Sequence, residues 1–63
     1  MKAQEIVEKL KTSPYKFTTA SKIRDEVKKL DDDLCDYLIM ELRRELSNPH
    51  NSDIIKPLRE ILR

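Results

Sequence analysis

Apolar residues recur along this chain at helical spacing in four stretches. In the first, about 2–12, Ala3, Ile6, Val7 and Leu10 fall at i, i+3, i+4 and i+7, which puts them on one stripe of a helix. Ser13-Pro14 predicts its end, because the residue before a proline is pushed out of the helical region. "PYKF" at 14–17 then reads as a connector, with Tyr15 or Phe17 expected to plug one end of a small core. The second stretch, about 19–30, has a narrow stripe of Ala20, Ile23, Val27 and Leu30, with Thr18 or Thr19 placed to cap it. Lys22, Arg24, Lys28 and Lys29 make much of its outer surface basic.

The third stretch, about 33–47, is the most apolar. Asp31, Asp32 and Asp33 are all plausible N-caps. Leu34, Leu38, Leu42 and Leu46 form one row, and Cys35, Tyr37, Ile39 and Met40 widen it to more than half the circumference. A helix of that kind is expected at the centre of a fold or covered on two sides. "SNPHNSD" at 47–53 is rich in turn and cap residues and reads as a polar loop. The fourth stretch, about 53–62, carries Ile54, Ile55, Leu58, Ile61 and Leu62 at helical spacing. Pro57 interrupts it, so the start of that helix is expected to be distorted. The pattern predicts an all-α fold: one domain over 1–63, a compact bundle of three to four short antiparallel helices with the helix at about 33–47 central.

Size and composition narrow how such a bundle is held. A chain of 63 residues buries only about 60% of the surface it exposes when unfolded. Cys35 is the single cysteine, so no disulfide forms within the chain, and Cys35 with His50 is too small a ligand set for a structural zinc. Regular helix packing, self-association or a partner protein is left to supply the rest. The chain has no glycine, which argues against tight hairpins and glycine-built phosphate loops. The N-terminal "MKAQEIVEKLKTS" lacks an apolar signal core and no long apolar run follows, so neither secretion nor a membrane span is expected. A lone cysteine fits a reducing cytoplasm.

Net charge is +1, but it is unevenly spread. Residues 1–30 hold eight Lys/Arg against four Asp/Glu, a balance of +4. Residues 31–47 hold two arginines against six acids, −4, and residues 48–63 hold three Lys/Arg against two acids, +1. Acids at the start of the third helix and arginines near its end suit the helix dipole, by about 0.3–1 kcal/mol each. The same charges give that helix an acidic face able to meet a basic surface of another protein or of a second copy.

"EIVEKLKTSPYKFTTASKIRDEVKKLDDDLCDYLIMELRREL", residues 5–46, resembles the three-helix core of helix-turn-helix and winged-helix domains. Ile6, Val7 and Leu10 stand in its first helix, "TTASKI" opens its second, and the leucines of the third face its core. The resemblance implies a third helix that enters the DNA major groove by its N-terminal residues. In this chain that end carries Asp31, Asp32, Asp33 and Asp36, whereas DNA binding draws on Lys and Arg to neutralise phosphates. The turn before it lacks glycine, and no β-hairpin wing pattern follows. DNA contact would therefore fall to Lys16, Lys22, Arg24, Lys28 and Lys29.

No catalytic constellation stands out. His50 lies among turn residues and Cys35 within an apolar run, where it reads as a small hydrophobe. Asp32 and Asp36 align on one helix face without a ligand histidine or a basic neighbour to orient them. No enzymatic activity, metal or cofactor is expected. The sequence predicts a non-catalytic interaction module, a small adaptor or regulatory protein, of a kind that suits a phage or plasmid accessory protein. It is expected to bind another protein, or itself as a homodimer, through Asp32, Asp33, Asp36, Tyr37, Ile39, Met40, Arg43 and Arg44. A DNA-binding regulator using the basic residues of 16–29 is the alternative.

Overall fold

The four apolar stretches become four α-helices in a computed structural model that describes residues 1–63. They are α1 (Ala3–Thr12), α2 (Lys16–Lys28), α3 (Asp32–Leu46) and α4 (Ile55–Ile61), with a 3₁₀ helix over Pro49–Ile54 leading into α4. There are no strands, and the bundle measures 29 × 22 × 18 Å. No helix is long and apolar enough to cross a membrane.

One core joins all the elements. Ile6, Val7 and Leu10 come from α1; Ala20, Ile23 and Val27 from α2; Leu38 and Leu42 from α3; Ile54, Leu58 and Ile61 from the C-terminal segment. These are the stripes read from the sequence, and each fully buried Val, Leu or Ile side chain among them stabilises the fold by about 1.5–3 kcal/mol. The stripe of α3 is the exception. Only Leu38 and Leu42 are buried there, Leu46 is half-buried, and Leu34 is exposed. Steps of four residues advance a side chain by about 40° around a helix, so the row drifts by about 120° from Leu34 to Leu46. A single packing seam covers only its middle. α3 contacts every other element, α1, α2, the 3₁₀ helix and α4, while the most extensive helix pair is α2 with α4.

Local differences have local causes. α2 begins at Lys16, earlier than expected, and neither Thr18 nor Thr19 caps it. Instead the Ser13 hydroxyl accepts the Tyr15 amide at 3.1 Å and pairs with the Thr19 hydroxyl at 2.7 Å. The early start fixes the phase of Phe17 about a quarter turn from the stripe of Ala20, Ile23 and Val27. Phe17 is therefore 56% exposed and Tyr15 73%, and neither plugs the core. At the head of α3 the N-cap is Asp31, whose side chain makes no capping bond, and Asp32 and Asp33 fall in the first turn. The expected polar loop 47–53 contains most of the 3₁₀ helix, which Asn48 caps by accepting the His50 amide at 3.0 Å. Pro57 is the third residue of α4, where backbone amides have no partner within the helix, so its missing N–H costs no helical hydrogen bond.

Candidate protein-binding surface

α3 is held to the bundle from one side only. Leu38 and Leu42 enter the core, with Cys35, Ile39 and Leu46 packed half-buried around them. At its C-terminal end the Glu45 carboxylate accepts from Asn51 Nδ2 at 2.7 Å and from Gln4 Nε2 at 3.1 Å. One acidic side chain thus ties α3 to α1 and to the 3₁₀ helix.

The other side of α3 faces outward. Leu34, Tyr37 and Met40, three residues apart, form an oblique ribbon and are 57%, 61% and 47% exposed. Asp32, Asp33, Asp36, Arg43 and Arg44 surround that ribbon and are exposed as well. Arg44 stands 3.8 Å from Glu41, the one ion pair formed within α3. Of the residues expected to bind protein, Ile39 alone turns inward; it is half-buried against the core. The other seven share the solvent-facing side.

A groove of about 370 Å³ lies beside the ribbon, between α3 and the start of α1. Ala3, Leu30 and Leu38 contribute apolar surface to it, together with Met1, Leu34 and Tyr37, while Glu41 and Glu45 add negative charge. Of the α3 residues of this groove the sequence pointed to Tyr37 as a binding residue, whereas Leu34, read there as part of the core row, is exposed. Sequence reasoning missed Met1 and Ala3 as their neighbours, because only tertiary packing brings the chain start beside α3.

The basic residues divide differently. Lys16 folds back onto α1, its ammonium donating to the carbonyls of Leu10 at 2.7 Å, Lys11 at 3.1 Å and Ser13 at 3.4 Å. These carbonyls, at or just beyond the end of α1, have no helical amide to accept, so Lys16 acts as a cap. Arg24 donates to Glu60 at 2.8 Å and links α2 to α4. Lys22, Lys28 and Lys29 remain exposed, interspersed with the exposed acids Asp25 and Glu26.

Of the residues weighed for catalysis, Asp32 and Asp36 are exposed on α3. Cys35 is half-buried against the core. His50 is exposed, and its backbone carbonyl accepts from Lys11 Nζ at 2.8 Å. Nowhere do three or more His, Cys, Asp or Glu side chains converge to hold a metal ion. No family model of known proteins matches this chain, and no curated protein or solved structure is significantly similar to it. The fold and this surface define the class: a small all-α bundle with an apolar ribbon and groove exposed along one helix.

Proposed function

We propose that this chain is a non-catalytic protein–protein interaction module, a small cytoplasmic adaptor or regulatory accessory protein, that binds another protein through the outer face of α3. The observation that carries the reading is the exposure of Leu34, Tyr37 and Met40 as one contiguous ribbon beside an apolar groove. Large apolar side chains scattered singly over a surface need no explanation, but a contiguous patch with a polar rim marks an interaction site. Tyr and Met are also enriched in interfaces, where they supply contact area and adaptable packing. The surrounding acids and arginines would set orientation and association rate more than affinity.

Affinity capture from native lysate with wild-type protein and with the double variant Tyr37→Ser/Met40→Ser tests the reading. A protein retained by the wild type and lost with the double variant supports it. Equal retention by both contradicts it. So does salt-sensitive, micromolar retention of the chain on duplex DNA that Lys28→Glu abolishes, because that would move the working surface to α2.

A further inference from the structure

The groove and ribbon of α3 are one of two sticky places on this molecule. The second surrounds the start of α2, where Tyr15 and Phe17 project from the surface. Phe17 borders a shallow hollow that Lys56 and Arg59 also line, with Asp53 as its single acid. Both cations are exposed, and neither forms an ion pair within the chain. The α3 groove has the opposite character, with Glu41 and Glu45 against one lysine, Lys2. The two hollows share no residue. Phe17 lies in the first turn of α2 and Leu30 just beyond its end, and the rise of that helix separates them by about 20 Å.

Resting on the reading of α3 as a protein-binding face, we propose that one occupant of its groove is a second copy of this chain, docked head to tail. The aromatic pair Tyr15 and Phe17 of one copy enters the apolar groove of the next, and Lys56 and Arg59 come to face the acids of α3. The apolar knob matches the apolar groove, and the basic rim matches the acidic one. A two-fold contact of groove on groove would instead bring the acids Glu41 and Glu45 of one copy toward those of the other, and like charges so placed oppose association. Docked head to tail and without a two-fold axis, each junction leaves a free knob at one end and a free groove at the other, so association continues past two chains until it closes into a ring or runs open.

Sedimentation equilibrium over micromolar to millimolar concentrations tests this with three proteins: wild type, Phe17→Glu and Tyr37→Lys. Both substitutions fall on exposed side chains, and far-ultraviolet circular dichroism with a thermal melt verifies that each variant folds. Leu34→Lys serves in place of Tyr37→Lys if that variant does not. The wild type is expected to exceed the mass of two chains as concentration rises and to return toward one chain in high salt. Each variant alone is expected to stay at one chain, because each lacks one half of the contact. An equimolar mixture of the variants restores one intact junction and is expected to reach two chains and stop. A wild type that remains monomeric at millimolar concentration overturns the proposal, as does a mixture that stays at one chain or a wild type that stops at two. A monomeric wild type that still loses a captured protein on Tyr37→Ser/Met40→Ser would remove self-docking alone and leave α3 as a face for other proteins.

Discussion

The side-chain nitrogen of Asn51 lies 2.7 Å from the Glu45 carboxylate and 3.0 Å from the Glu45 backbone carbonyl. Asn51 is the one buried polar residue in the bundle. Its amide is a second donor to the Glu45 carbonyl at the end of α3, which also accepts from the Asn48 amide at 3.2 Å. It also holds the carboxylate that Gln4 reaches from α1. The groove beside α3 thus has one end closed by hydrogen bonds rather than by apolar packing.

Asn51→Ala removes both bonds and leaves the Glu45 carbonyl without its side-chain partner. The expected loss is about 1.5–3 kcal/mol of folding stability, the range for a hydrogen bond to a charged group, because the carbonyl keeps the Asn48 amide. Urea unfolding measures it as a lower midpoint at unchanged slope. A midpoint equal to that of the wild type would show that water replaces the amide at no cost.

Arg24 and Glu60 join α2 to α4, the pair of helices with the most extensive contact. Their side chains are 26% and 24% exposed, so the pair is screened less than one at the open surface. Arg24 Nε, however, is buried without a partner, which offsets part of the gain. A double-mutant cycle with Arg24→Met and Glu60→Gln is expected to give a coupling of about 1 kcal/mol, at the upper end for exposed pairs. A coupling indistinguishable from zero would mean that the helices are held together by Ile23, Val27, Leu58 and Ile61 without help from the charges.

Opposite faces of α3 should respond oppositely to truncation. Leu42→Ala empties a fully buried position and is expected to cost about 2–5 kcal/mol. Tyr37→Ser and Met40→Ser change exposed side chains and are each expected to move stability by about 0.5 kcal/mol or less. Thermal or urea melts of the three variants check the contrast. A loss comparable to that of Leu42→Ala at Tyr37 or Met40 would place that side chain in the fold and not at a binding face.

The stripes of α1 and α2 were legible in the sequence because a four-residue repeat of small and branched apolar residues allows one inward phase, and Ile6, Val7, Ile23 and Val27 all sit on it. The leucine row of α3 was less legible. Its spacing marks a helix, but how much of a drifting row is covered depends on where α4 lies, and α4 pairs with α2. Phe17 was misplaced for a related reason: its orientation follows from the residue at which α2 begins, which is set by Ser13, Thr19 and the turned-back Lys16. Asn51 sits in a run of turn residues and looked solvated, and only the tertiary contact with Glu45 buries it. For the candidate site, the exposed residues of α3 were identifiable as an acidic and apolar surface, while its far wall at Met1 and Ala3 was not. Lys16 and Arg24 read as free surface cations, although both serve the fold.

The most direct measurement replaces single residues by the photo-crosslinking amino acid p-benzoylphenylalanine, at Tyr37 on the outer face of α3 and at Lys22 on the outer face of α2. Irradiation in native lysate should join position 37 to a protein chain, a partner or a second copy, and leave position 22 unlinked. Crosslinking at 22 with none at 37, or no protein crosslink from 37 while the chain folds normally, would contradict the assignment of α3 as the binding surface.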